Sequence, residues 1–146
     1  MPRRPRIFPF EGVNYRSEYE RRQAIRLTEA GVNFEYETKQ IQYTQSVYNA
    51  VCMDCGSSHC HSVRLYSPDF YFPQSGIFVE TKGKFDAPSR TKMIDVCNQS
   101  EEDIRMVFMR DNWLTRKHGM KYSRWCELKG IEYAIGDIPL SWAGKS

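Results

Sequence analysis

Residues 66–84 read Y-S-P-D-F-Y-F-P-Q-S-G-I-F-V-E-T-K-G-K and decide how the chain is expected to fold. Aromatic and β-branched residues flank the turn formers Pro73-Gln74-Ser75-Gly76, so the stretch predicts two short strands joined by a tight turn. Because alternate side chains of a strand share a face, Glu80 and Lys82 lie on the same side, roughly 6.5 Å apart. The hairpin then brings Asp69 across from them.

Two carboxylates and a lysine on an otherwise apolar β-ribbon indicate a binding site. These groups are costly to bury unless they bind something, and a divalent cation is the natural ligand. The simpler alternative is a surface hairpin in which Glu80 and Lys82 form a same-face ion pair worth about a few tenths of a kcal/mol. Hydrophobic residues on both sides of the acids favour a strand that is covered on both faces, and therefore the binding site.

The spacing of these residues resembles the signature of the PD-(D/E)xK nuclease superfamily. Pro68 and Asp69 are followed about ten residues later by Glu80-Thr81-Lys82. The resemblance implies an α/β fold, with a restriction-endonuclease-like mixed β-sheet flanked by helices. It also implies a nuclease that uses Mg²⁺ or Mn²⁺, one or two ions per active site.

Length and charge indicate one domain with a basic N-terminus. The 146 residues, 14% of them aromatic, predict a single domain spanning 1–146 with a sizeable core. The net charge is only +3, but residues 1–26 hold seven arginines and three acids. We expect residues 1–14 to form a flexible basic arm that leads into a basic helix, with a merely solvated terminus as the alternative. No membrane span and no signal-peptide core are visible, so an intracellular protein without a membrane partner is expected.

A cysteine- and histidine-containing insertion is predicted at residues 46–63. Three thiolates and one imidazole within ten residues suffice for a tetrahedral structural zinc. The alternative is a set of reduced thiols on an exposed loop, and the odd total of five cysteines fits a reducing compartment. The candidate ligands are Cys52, Cys55, Cys60 and either His59 or His61.

A helix is predicted from Ser17 to about Ala30, with Gly31 just after its end. Ser17 and Glu20 fit a capping box, which is the structural explanation for the acid. Helical spacing also puts Glu20 in line with Ala24 and Leu27, at the edge of the apolar stripe, where a carboxylate could complete a metal site.

The other elements follow from their hydrophobic patterns. A strand, a helix and a second strand in that order predict parallel pairing through a right-handed crossover. The predicted elements are strands at 32–43, 104–109 and 131–135, helices at 87–98 and 122–129, and a polar basic loop at 110–121.

Blocks along nearly the whole chain resemble phage endonuclease I, the family of Holliday-junction resolvases of the T-odd phages. The blocks are Tyr15-Arg16-Ser17, Gly31 to Glu37, Tyr66 to Phe70, Gly76 to Gly83, Gly130-Ile131, and Ile138-Pro139 followed by Trp142. The resemblance implies that Glu20, Asp69, Glu80 and Lys82 form the catalytic set, with the three acids as metal ligands.

The resemblance further implies an intertwined, domain-swapped homodimer in which the helix glutamate serves the partner's site. Two such sites would make paired cuts in a four-way junction or other branched DNA, leaving 5′-phosphate and 3′-hydroxyl ends. A phage origin would place the protein in the cytoplasm of an infected bacterial host. Phosphate contacts are expected from Arg3, Arg4, Arg6, Arg16, Lys84, Arg116, Lys117 and Lys121.

Two other functions remain compatible with the sequence. A different enzyme of the superfamily, sequence-specific or mismatch-nicking, would cut linear duplexes. A non-enzymatic zinc-containing DNA-binding module would follow if the four catalytic candidates were surface charges.

Overall fold

The predicted hairpin at residues 66–84 is the centre of the structure, a computed structural model that describes residues 2–46, 61–115 and 119–144. Phe70 pairs with Val79 across the hairpin, and the backbone N–H of Gly76 closes the turn on the carbonyl of Phe72 at 2.8 Å. Gly76 has φ +74°, which glycine adopts without steric cost. The elements are β1 (Phe8–Phe10), β2 (Val13–Tyr15), α1 (Glu18–Glu29), β3 (Glu35–Tyr36), β4 (Ile41–Ser46), β5 (His61–Tyr66), β6 (Phe70–Phe72), β7 (Ile77–Lys82), α2 (Ala87–Gln99), β8 (Asp103–Phe108), β9 (Trp113–Thr115), β10 (Met120–Lys121), α3 (Tyr122–Lys129), β11 (Tyr133–Ile135) and a 3-10 helix (Leu140–Ala143).

Five strands form a mixed sheet in the order β11-β8-β7-β6-β3. β7 and β8 are parallel and joined through α2, as the crossover predicts, and β11 adds a third parallel strand beside β8. β6 and β3 are antiparallel to their neighbours. The prediction of a mixed sheet flanked by helices is confirmed, whereas the intertwined dimer stays a prediction.

Hydrophobic cores cover both faces of β7. Val79 packs in a core with Leu27 of α1, while Phe78 packs in a second core with Met93 of α2 and Trp125 of α3. The first five residues of β7 are buried, so any charge on this strand is held away from water.

The helix α1 has the ends that its sequence predicts. The Ser17 hydroxyl accepts a hydrogen bond from the backbone N–H of Glu20 at 3.1 Å. At the other end Gly31 is left-handed, with φ +68°, and the N–H groups of Gly31 and Val32 bond to the carbonyls of Thr28 and Leu27. This is a Schellman termination. None of the helices in the described part of the chain has the length and apolarity of a membrane span.

The prediction of a single strand at 32–43 is wrong, because two strands that belong to different sheets lie in this part of the chain. β3 pairs with β6 in the central sheet, whereas β4 pairs with β5 in a separate two-stranded ribbon. Glu37 has φ +53°, outside the extended region, and ends the first strand. The ribbon also corrects the limits of the irregular segment at 46–63: β4 includes Ser46 and β5 begins at His61, so the ladder extends into that segment from both sides.

Two hairpins lie in segments predicted to lack strands. β1 and β2 pair at the end of the predicted arm and reach one residue beyond it, around a turn in which Glu11 and Gly12 both have positive φ, as favoured hairpin turns require. β9 and β10 pair within the predicted loop at 110–121. Each of these four strands has three residues or fewer, which is too short for a recognisable alternation of apolar and polar residues. Of the zinc candidates, Cys52, Cys55, His59 and Cys60 lie outside the described residues.

Candidate active site

A cleft of about 340 Å³ opens where the C-terminal end of β7 meets the start of α1. It contains all four residues predicted to be catalytic, although they come from three separate parts of the sequence. The residues that line it are Arg16, Ser17, Tyr19, Glu20, Ser67, Asp69, Glu80, Thr81, Lys82, Gly83, Lys92 and Met109.

Asp69 is held rigidly at the N-terminal side of β6. Its Oδ2 accepts hydrogen bonds from the Thr81 backbone N–H at 2.9 Å and from the Thr81 hydroxyl at 2.7 Å. Burial raises the pKa of the Asp69 carboxyl well above its usual range, and the charges of Glu80 and Glu20 raise it further, while the bonds from Thr81 act in the opposite direction. The ionised form is therefore costly until a cation compensates it.

Glu80 lies on β7 and is only 5% exposed. The Tyr66 hydroxyl donates a hydrogen bond to its Oε2, and Lys82 Nζ lies 3.4 Å from its Oε1. Burial raises the pKa of Glu80 in spite of the opposing charge of Lys82. Burial and the neighbouring Glu80 also raise the pKa of Tyr66, so the tyrosine stays protonated and acts as the donor.

Glu20 combines a structural role with a position in the cleft. Its carboxylate accepts from the Ser17 hydroxyl at 2.7 Å and from the Tyr36 hydroxyl at 3.3 Å. The capping interaction thus leaves the acid at the cleft instead of removing it from the site. A single chain brings Glu20 and Asp69 together, and a supply of Glu20 from a partner chain stays a prediction.

Glu37, which the sequence analysis missed, lies next to two of the acids that line the cleft. Oxygen atoms of Glu20, Glu37 and Asp69 all lie within 4.8 Å of one another. The Glu37 backbone N–H donates to the Asp69 carbonyl at 3.0 Å, and Arg16 Nε lies 2.9 Å from Glu37 Oε1. The only sequence signal for Glu37 is its place in the block Gly31 to Glu37, which resembles the family but marks no acid in it as a site residue.

The family model of phage endonuclease I matches residues 9–146. The chain belongs to this family. Endodeoxyribonuclease 1 of Enterobacteria phage T3 is 34% identical to it over 133 residues, which are 90% of this chain and 78% of the relative. Endonuclease I of Escherichia phage T7 is 33% identical over 130 residues, which are 88% of this chain and 77% of the relative. The resemblance seen in the sequence blocks is thereby confirmed.

In this member of the endonuclease I family, the acidic group suits a hard divalent cation. Carboxylate oxygens are the ligands that Mg²⁺ and Mn²⁺ prefer. The raised pKa of Asp69 reflects the free-energy cost of ionising a buried carboxyl beside other acids, and such a cation would lower that cost. Glu80 stands apart from the close trio of acids because its oxygens contact Tyr66 and Lys82. We therefore regard Glu20, Glu37 and Asp69 as the group that can hold a metal, and the ligation by Glu80 as a prediction.

The predicted DNA-contacting residues fall into three groups. Arg16 lies at the cleft itself, and its side chain is 75% exposed. Arg3, Arg4, Arg6 and Lys84 are exposed, and Lys121 lies on β10. Arg116 and Lys117 lie outside the described residues. Among the described residues, the only ion pair between this set and the acidic group of Glu20, Glu37 and Asp69 is that of Arg16 with Glu37.

Proposed function

We propose that the protein is a structure-selective DNA endonuclease that resolves four-way and other branched junctions by paired, metal-dependent hydrolysis of phosphodiester bonds. One observation carries the proposal: Glu20, Asp69, Glu80 and Lys82 line one open cleft in a chain of the endonuclease I family. The alternative, a surface hairpin with solvated charges, does not account for Glu20, Asp69 and Glu80, which are only 5 to 7% exposed.

The residues divide the chemistry between them. Asp69 and Glu20, with Glu37, would hold the cation, and the two hydrogen bonds from Thr81 would keep the Asp69 carboxylate oriented. When bound, the Mg²⁺ or Mn²⁺ supplies charge neutralisation at the phosphate and makes water a better nucleophile. Glu80, oriented by Tyr66, keeps Lys82 in the cleft, where the ammonium orients the attacking water and offsets charge in the transition state. Attack at phosphorus breaks the P–O3′ bond and leaves 5′-phosphate and 3′-hydroxyl ends.

The test compares a four-way junction with linear duplexes of the same arm sequences in Mg²⁺. We expect paired nicks near the branch point and none in the duplexes. Glu80→Ala and Lys82→Ala should abolish cutting while junction binding survives, and the exposed matched controls Glu101→Ala and Lys129→Ala should cut normally. Cutting of the duplexes at a defined sequence would instead support a sequence-specific enzyme, and binding without any cutting would support a non-enzymatic module.

Paired cutting needs two sites, and a homodimer would provide them. Mixing Glu20→Ala and Glu80→Ala protein, with subunit exchange through unfolding and refolding, tests whether sites are shared. If Glu20 crosses to the partner, each mixed dimer contains one complete site and nicks the junction once. If every site takes Glu20 from its own chain, the mixture stays inactive and the swap is wrong.

A further inference from the structure

Trp113 on β9 is an aromatic residue that the folded chain leaves about half exposed. Its exposed fraction is 47%, whereas Trp125 and Trp142 are both buried at 7%. Lys121 is its cross-strand partner on β10, with Nζ 4.9 Å from the centre of the Trp113 ring. This cation–π contact orients the ring and covers part of it without burying the rest.

The base of this hairpin is fixed to helix α3. Asp111 accepts hydrogen bonds from the backbone N–H of Ser123 at 3.0 Å and from the Ser123 hydroxyl at 2.6 Å. The backbone N–H of Tyr122 donates to the carbonyl of Asn112 at 3.0 Å. Trp113 therefore projects from a supported platform, which lowers the entropic cost of using it for binding.

The platform also lies close to the candidate active site. Met109 lines the cleft, and its backbone N–H donates to the carbonyl of Lys82 at 3.0 Å. Trp113 follows Met109 by four residues, so their Cα atoms are at most about 14 Å apart. That upper limit corresponds to roughly four base-pair steps along one DNA strand. A nucleotide within a few positions of the scissile phosphate can thus reach the ring.

We infer that Trp113 stacks on an unstacked DNA base at the branch point, with Lys121 beside it as a phosphate-contacting cation. This inference rests on the proposed function and concerns what the enzyme recognises. An intact duplex keeps both faces of every internal base covered, whereas branch points, gaps and single strands expose a face on which an aromatic ring can stack. The exposed ring and the positive charge next to it match that chemistry, so the platform favours branched over linear DNA.

The first test measures binding to a four-way junction and to a matched duplex in chelator, where no strand is cut. Base–aromatic stacking corresponds to about a 5- to 150-fold change in affinity. We expect Trp113→Ala to lose affinity for the junction within that range and to bind the duplex as before. Trp113→Phe should retain most of the junction affinity, Trp113→Leu should not, and the exposed apolar control Leu128→Ala should have no effect.

The second test uses the wild-type protein and does not depend on the folding of any variant. Because the other two tryptophans are buried, acrylamide should quench mainly Trp113, and saturating junction DNA should quench its emission and protect it from acrylamide. Unchanged emission and accessibility in the complex would overturn the inference, as would equal losses of junction and duplex affinity in Trp113→Ala. If the wild-type protein cuts junctions but Trp113 gives either of these results, only the inference about Trp113 is wrong and the proposed function stands. If the wild-type protein neither cuts junctions nor binds them in preference to duplexes, the proposed function itself is wrong.

Discussion

Asp69→Asn is expected to stabilise the metal-free protein while it abolishes cleavage. The Asp69 carboxylate is buried within 4.8 Å of oxygen atoms of Glu20 and Glu37. At that distance, with an effective dielectric constant of about 20, two unit negative charges repel each other by about 3.5 kcal/mol. Asparagine has nearly the same shape, and its carbonyl can still accept the hydrogen bonds from Thr81. The substitution therefore removes repulsion at little cost in packing.

The net gain should be smaller than this pairwise figure. The raised pKa of Asp69 means that uptake of a proton can relieve part of this repulsion in the wild type, and the Arg16 guanidinium, paired with Glu37, offsets part of the negative charge. A stabilisation of about 1–2 kcal/mol is realistic for relief of strain at a functional site. At about 4 °C per kcal/mol for a domain of this size, the Tm of the metal-free protein should rise by about 4–8 °C.

Adding the cation should make the wild type more stable than Asp69→Asn. At a Mg²⁺ or Mn²⁺ concentration of about 100 times Kd, the wild type gains about 2.7 kcal/mol, or about 11 °C, and Asp69→Asn should gain almost nothing. Calorimetric melting with and without metal, beside a junction-cleavage assay, measures both effects. Asp103→Asn, a matched change in a partly exposed ion pair, should not raise Tm. A lower Tm for metal-free Asp69→Asn, or a full metal-induced rise in it, would refute the reasoning.

The same group sets a pH dependence with a definite sign. The folded-state pKa of Asp69 is raised by burial and neighbouring acids, so the folded protein holds a proton that the unfolded chain releases. The stability that this proton confers is present below the unfolded-state pKa and is lost as pH rises through the folded-state pKa. In the metal-free wild type the free energy of unfolding should fall over that window, with a weaker slope in Asp69→Asn. Cleavage requires ionised ligands and should also rise with pH, but over a lower window, because the positive charge of the bound cation lowers the pKa of Asp69.

Three further outcomes are expected. Tyr66→Phe leaves the buried Glu80 carboxylate without its hydroxyl donor, so the free energy of unfolding, measured in urea, should fall by about 1.5–3 kcal/mol. In the control variant Tyr133→Phe, the lost hydrogen bond to Glu127 is exposed, so the fall should be less than about 1 kcal/mol. Glu37→Gln should weaken Mn²⁺ binding in calorimetry at least about tenfold, with Glu29→Gln unchanged. If residues 46–63 bind zinc, metal analysis should find one zinc per chain, and a chelator should lower Tm; a ratio near zero with unchanged melting would contradict that site.

The parts of the fold that were predictable are those specified by neighbours in sequence. The Gly76 turn between two apolar runs specified the central hairpin, and Ser17 and Gly31 specified the ends of α1. The crossover through α2 followed because a strand, a helix and a strand in succession have essentially one handed arrangement. In each case the signal lies within a few residues of the element that it determines.

The convergence of Glu20 on Asp69 was predictable only in part. The apolar stripe of α1 placed the acid on the face that packs against the sheet, because Ala24 and Leu27 are both fully buried there. The distance between Glu20 and Asp69 depends on how the chain returns from α1 to β3, and no local pattern specifies that path. The family resemblance identified Glu20 as a site residue and implied that the partner chain supplies it, which stays a prediction.

Glu37 shows why the remaining part of the site escaped prediction. The alternating pattern of residues 32–43 predicts an extended backbone at Glu37 and does not mark it as a site residue. Its φ of +53° instead takes the backbone out of the extended region there. A left-handed conformation at a non-glycine residue costs about 1–3 kcal/mol and persists only where the surroundings impose it. Here the backbone N–H of Glu37 bonds to the Asp69 carbonyl, and the Glu37 side chain pairs with Arg16. Both contacts come from distant parts of the chain, so the conformation that brings this third carboxylate next to Glu20 and Asp69 is a property of the assembled site and has no local sequence signal.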